Sequence, residues 1–153
     1  MDPADIRIRE MTPPDAQEVA LLSGELGYPV PLDVMRQRLE YLMGQPDHAI
    51  FVASYLDGVK GWISVAITHH LCVESRAEIT ALVVSPELRS RGIGRLLVLR
   101  AEQWAASRGL KEMLVRSRLG REDAHRFYLR DGYERTKTSA VFTKHLAPAP
   151  RVN

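Results

Sequence analysis

The chain has 153 residues, 45% of them apolar and 26% charged, with a single cysteine. That profile describes one globular domain with a core of its own, and it excludes a low-complexity or disulfide-stapled protein. No apolar run approaches the ~20 residues of a membrane span, and the charged start MDPADIRIRE lacks a signal core, so a cytoplasmic protein away from membranes is expected. Net charge is only +2, yet residues 1–88 sum to −7 and residues 89–135 to +6. The basic part suits a polyanionic partner and the acidic part a cation.

In chain order, Ile6-Arg7-Ile8-Arg9 alternates as a short strand, and Thr12-Pro13-Pro14-Asp15 signals a helix start ahead of Val19, Leu22, Ser23 and Leu26. Gly24 and Gly27 weaken that helix, and Tyr28-Pro29-Val30-Pro31 reads as a loop. A second helix carries Leu32, Met35, Leu39, Leu42 and Met43 and stops near Gly44. Strand-like runs over 49–55 and 59–68 flank Leu56-Asp57-Gly58, whose Asp-Gly pair signals a hairpin. A further strand spans 76–84, a helix 93–108 with Gly109 as its stop, a strand 113–117 and a short helix 121–130. Residues 133–137 and 140–146 read as two last strands, and the tail APAPRVN, 147–153, as disordered. One mixed sheet with helices on both faces is expected, as a single domain over 1–146.

The chemistry concentrates in two stretches. Arg89-Ser90-Arg91-Gly92-Ile93-Gly94 joins an apolar strand to an apolar helix, where glycines let the backbone approach a ligand. A helix N-terminus presents free N–H groups and a positive dipole end, which favour a phosphate. Arg89, Arg91 and Arg95 add positive charge. The turn lacks the three glycines of a dinucleotide fingerprint and the Gly-Lys-Ser/Thr ending of a nucleotide-triphosphate loop. The second stretch is "AHRFYLRDGY", Ala124 to Tyr133.

Together these stretches resemble the GCN5-related N-acetyltransferase (GNAT) superfamily, whose members move an acetyl group from acetyl-coenzyme A to an amine. The first is similar to that family's Arg/Gln-x-x-Gly-x-Gly/Ala pyrophosphate loop. The second is similar to its Ala-x-x-Phe-Tyr-x-x-x-Gly-Phe/Tyr element. The resemblance implies a central, mostly antiparallel twisted sheet of about seven strands with four helices on its two faces. It implies acetyl-coenzyme A as the cofactor, with no metal. Cofactor contacts are implied at Leu82, Val83 and Val84, at Arg89, Ser90, Arg91, Gly92, Ile93, Gly94 and Arg95, and at His125 and Tyr128. One departure stands out: the family often has asparagine seven residues before the tyrosine, and this chain has Arg121.

A thiolate leaving group has a solution pKa near ~8.5, so a nearby hydroxyl can protonate it as the C–S bond breaks. The resemblance assigns that role to Tyr128. Without it, Phe127 and Tyr128 read as core aromatics. The attacking amine must be neutral, and Glu78 is the candidate base, with a solvated edge charge as the competing reading. Strict alternation puts Glu78 on one face with Thr80, Leu82 and Val84, although the resemblance implies a bulge near Leu82. The first two helices and their loop are expected to wall the acceptor site, with Glu25, Tyr28 and Glu78 in contact with the acceptor. Glu25, Asp33, Glu40, Glu74 and Glu78 then favour a small cationic amine. His69-His70 and Cys72 lack the companions of a metal site or a nucleophile. A protein N-terminus or lysine is the alternative acceptor, and a homodimer stays open. A nucleic-acid module lacks interleaved aromatics and meets an acidic first part. A non-catalytic sensor is disfavoured by the presence of Tyr128.

Overall fold

The computed structural model describes residues 3–56 and 58–151, so Asp57 of the expected hairpin and the last two residues of the tail lie outside it. The described chain divides into two compact units, Met1–Arg116 and Ser117–Asn153. The first unit contains β1 (Ile6–Glu10), α1 (Ala16–Glu25), α2 (Leu32–Met43), β2 (His48–Tyr55), β3 (Gly58–Thr68), β4 (Arg76–Val84), α3 (Ile93–Ser107) and β5 (Met113–Val115). The second contains α4 (Glu122–Arg130).

The sheet runs β1-β2-β3-β4-β5 in sequence order. The first three pairings are antiparallel and β4–β5 is parallel, so the sheet is mixed. This corrects the expected mostly antiparallel sheet of about seven strands. The two strands expected over 133–137 and 140–146 do not form: no residue there belongs to a ladder, and Val141, Phe142 and Leu146 are exposed. Alternating apolar residues are a condition for a strand, but the strand itself is made by backbone pairing with a neighbour.

The register sorts side chains onto two faces. Gly61, Ile63 and Val65 share one face with Leu82, Val84, Ile79 and Ala77. There α3 packs through Ile93, Leu97, Val98 and Ala101, all essentially inaccessible. A Cβ at Gly61 would stand 2.9 Å from Val83 O and 3.2 Å from Leu97 Cδ1, so only glycine lets α3 lie this close to β3. The other face carries Val52 and Trp62, which join Met11, Ala16 and Val19 of the α1 region and Leu39 of α2 in a second cluster. Each fully buried Val, Ile or Leu contributes about 1.5–3 kcal/mol against exposure.

The start of α1 is fixed by a carboxylate. Asp15 Oδ2 accepts the Thr12 N–H at 2.8 Å and the Thr12 hydroxyl at 3.0 Å, while both Asp15 oxygens take Arg9 at 2.7 and 2.8 Å. This two-point fork ties β1 to the helix start, and it holds the buried Asp15 carboxyl below its usual pKa. Residues 147–151 are exposed and carry no secondary structure.

Candidate active site

The feature that positions everything else is a bulge. In the β3–β4 pairing Ser64 faces Ala81 and Val65 faces Ile79, so Thr80 is an extra residue with no partner in the register. Its hydroxyl donates to Ser64 O at 3.2 Å. The extra residue reverses the alternation beyond it. Glu78 therefore shares its face with Ala81 and Val83, and Leu82 and Val84 turn to the α3 side. The strict-alternation grouping of Glu78 with Thr80, Leu82 and Val84 is corrected accordingly.

The other edge of β4 is open along half its length. β5 pairs with it only from Ala77 to Ile79. From Thr80 to Val84 no strand lies on that edge among the described residues, whereas β3 covers the opposite edge up to Val84. Leu82, Val83 and Val84 thus sit on a strand with one side available to an extended ligand carrying amide groups.

This strand leads through a 3₁₀ turn at Pro86–Leu88 into the arginine-bearing loop. Arg89, Ser90, Arg91 and Gly92 are exposed. Ser90 has φ of +64° and Gly92, the residue preceding α3, has φ of +82°. The chain therefore makes two left-handed steps before entering the helix, a conformation that gathers successive N–H groups on one side. Leu96 N–H donates to Gly92 O, and the N–H groups ahead of it have no acceptor one turn back. Ile93 is buried as an anchor against the sheet, and Arg95 is exposed. The turn fits a pyrophosphate by its backbone geometry as well as by its charge.

On the α1/α2 face, Glu78 and Arg116 meet where β4 and β5 run side by side. Arg116 Nε donates to Glu78 Oε1 at 3.0 Å, with the glutamate side chain 19% exposed and the arginine 60%. His48, Ala66, Glu78 and Leu114 form one row across four strands, which places His48 about 10 Å from Glu78 with only alanine between them. His48 Nε2 lies 2.7 Å from Ser64 Oγ, and burial pushes the imidazole pKa down, keeping the ring neutral. Arg76 occupies the same face one step before Glu78, and its Nε is buried with no hydrogen-bond partner. Sequence reasoning passed over His48, Arg76 and Arg116. Arg116 left a usable signal, an arginine directly after the apolar Met113-Leu114-Val115.

In the second unit, Tyr128 is on α4 with its ring edge-to-face against Phe127 (5.1 Å) and Tyr133 (5.6 Å). Burial raises its pKa, and the Arg121 charge opposes that shift. The phenol is thereby kept in its protonated form. Arg121 precedes the first residue of α4, so the residue in the usual asparagine position faces this tyrosine as a charge. His125 Nε2 donates to Arg118 O at 2.8 Å, which secures the start of α4.

Glu25 ends α1 and is exposed, as is Tyr28 in the α1–α2 loop. Asp33, Glu40 and Glu74 are also exposed. His69 bridges Ser75 Oγ at 2.7 Å and Asp47 Oδ2 at 2.9 Å near the start of β4. Cys72 is exposed and unbonded.

The bulged strand β4, the arginine-bearing turn and the left-handed Gly92 ahead of α3 follow one another directly in the chain. The acetyltransferase (GNAT) family model matches residues 16–133. An aminoalkylphosphonate N-acetyltransferase of Salmonella typhimurium is 39% identical over 89 residues, which cover 58% of this chain and 56% of that protein. The chain thus matches little more than half the length of that relative. An uncharacterized N-acetyltransferase of Bacillus subtilis is 30% identical over 132 residues, covering 80% and 87%. The fold is that of an aminoglycoside N-acetyltransferase solved with coenzyme A, at TM-score 0.84, 20% identity and 91% and 94% coverage. An aminoglycoside 6'-N-acetyltransferase of Acinetobacter baumannii superposes at TM-score 0.80 with 22% identity, covering 93% and 99%. The chain belongs to the acetyltransferase (GNAT) family.

Proposed function

We propose that the protein transfers an acetyl group from acetyl-coenzyme A to the primary amine of a small acceptor, by direct attack within a ternary complex. The observation that carries this reading is the open edge of β4 from Thr80 to Val84, continuing into the Ser90–Gly92 turn and the N-terminus of α3. That edge suits the pantetheine arm at Leu82, Val83 and Val84. The turn from Arg89 to Arg95 suits the pyrophosphate. The bound thioester supplies an activated acetyl group.

The chain's residues then divide the proton work. Glu78 accepts the proton that the ammonium group must lose before it attacks. Backbone donors near Val83 and Val84 stabilise charge developing on the carbonyl oxygen, the Val84 N–H being the one turned to the open edge while that of Val83 faces β3. Tyr128 donates its proton to the departing sulfur, a role supported by a phenol that burial keeps protonated. Of the five carboxylates expected to favour a cation, Glu25, Asp33, Glu40 and Glu74 face solvent, and Glu78 alone is half-buried on the sheet. The acceptor is thus defined at Glu78, by one ammonium group, more than by the overall charge of the first 88 residues.

Calorimetric titration with acetyl-coenzyme A, followed by thiol release with a panel of amines, tests the reading. Saturable cofactor binding and amine-dependent release are expected. A folded protein that binds no acetyl-coenzyme A would overturn it.

A further inference from the structure

We propose that the acceptor is zwitterionic, an amine bearing a phosphonate or carboxylate group, and that Arg116 and Arg76 hold the acidic group while Glu78 holds the ammonium. The inference rests on the acetyl-transfer reading and specifies its substrate class. Three side chains carry it. Arg76 and Glu78 are two positions apart on β4 and share a face, about 7 Å apart along the strand. Arg116 reaches the same carboxylate from the end of β5.

The charges on this face do not suit a polyamine. One guanidinium is bonded to the Glu78 carboxylate and a second side chain of that kind starts two positions away on the same face, so an acceptor with several ammonium groups would meet more positive than negative charge among these three residues. An acceptor that brings an acidic group with its ammonium gives the guanidinium side a partner of opposite charge while Glu78 receives the ammonium. The donors are also disposed to receive an anion. Arg116 uses Nε on Glu78, and its terminal nitrogens make no hydrogen bond among the described residues while the side chain is 60% exposed. A planar guanidinium in that state presents a fork that fits phosphonate or carboxylate oxygens. Arg76 places a second guanidinium side chain on the same face, two positions from Glu78. Glu78 Oε2 makes no hydrogen bond among the described residues and remains available to the ammonium.

The test compares amines that differ only in the acidic group: aminomethylphosphonate and glycine against methylamine, with spermidine as the polyamine. Wild-type protein is expected to show kcat/KM at least about tenfold higher for the acid-bearing amines. Arg116→Gln should lower that ratio by about 10- to 100-fold, Arg116→Lys should restore part of it, and Arg76→Gln should lower it too. Preference for methylamine or spermidine in the wild type would overturn the inference. An Arg116→Gln loss shared equally by all amines would overturn it as well, since Arg116 would then only position Glu78. Thiol release with no amine at all would instead overturn the acetyl-transfer reading. Titration of methylphosphonate then reads the anion subsite directly: binding lost in Arg116→Gln supports it, and equal binding in both proteins overturns it.

Discussion

Arg116 and Glu78 are joined across two parallel strands, Nε to Oε1 at 3.0 Å, with the carboxylate much the less exposed of the two. The arginine fixes one oxygen of the glutamate and orients the other. Glu78→Gln keeps the shape and removes the base. Turnover is expected to fall by about 10²- to 10⁴-fold with acetyl-coenzyme A affinity unchanged. Steady-state kinetics paired with cofactor titration checks this, and wild-type turnover would remove Glu78 from the proton path.

Tyr128→Phe deletes one hydroxyl and keeps the aromatic contacts with Phe127 and Tyr133. Turnover should fall by about 10²-fold or more, with cofactor binding retained. Because burial raises the phenol pKa, the tyrosine stays protonated through the neutral range. Any alkaline loss of activity due to its ionisation should lie above the ordinary value of 10.0 and vanish in the variant. A pH–rate profile of both proteins reads this.

Gly92 sits at φ of +82°, and a Cβ added there would meet nothing within 4 Å, so the constraint on it is backbone strain and not space. Valine is poorly suited to that region, at a cost of about 1–3 kcal/mol. Gly92→Val should weaken acetyl-coenzyme A binding by about tenfold or more as the turn relaxes. Gly92→Asn, which tolerates the left-handed region, should retain most of it. Calorimetric titration distinguishes the two, and equal affinity for Gly92→Val and wild type would refute the phosphate-turn reading.

Asp15 contributes to stability through Arg9 and the Thr12 cap. Asp15→Asn is expected to cost about 1–3 kcal/mol at neutral pH. Its folded-state pKa is depressed below the ordinary 3.8, chiefly by the Arg9 hydrogen bonds. The stability it supplies is therefore present above 3.8 and lost as pH falls through the lower folded value. Denaturant unfolding from neutral to acidic pH should show a flatter acid limb in the variant than in the wild type.

Local chemistry was legible in the sequence wherever it was written in consecutive residues. The Arg89–Gly94 turn, the Tyr128 helix and the Thr12–Asp15 helix start could all be read that way. What escaped depends on residues that the folded backbone brings together and that no consecutive motif joins. Arg9 is in β1 and Asp15 closes the 3₁₀ turn Pro13–Asp15 ahead of α1, and the two side chains meet where the chain leaves the strand. His48 and Arg76 come from β2 and β4 and share a face by the register across the sheet, and Arg116, the residue after β5, joins them through its bond to Glu78. The final apolar residues, Val141, Phe142 and Leu146, show the converse limit: their spacing is that of a strand, and no partner makes them one.

The unpaired Thr80 makes β4 a strand with two reading frames. Before it, odd-numbered side chains enter the α3 core; after it, even-numbered ones do. The frame change lets one strand seal the hydrophobic core along its whole length and still send Glu78 to the opposite side. Deleting Thr80 would restore regular alternation, with Ala77, Ile79, Leu82 and Val84 still on the α3 side and Glu78, Ala81 and Val83 still opposite. Loss of this one exposed residue should therefore spare the core and remove instead the local bend and twist that a bulge gives the strand beside its open edge.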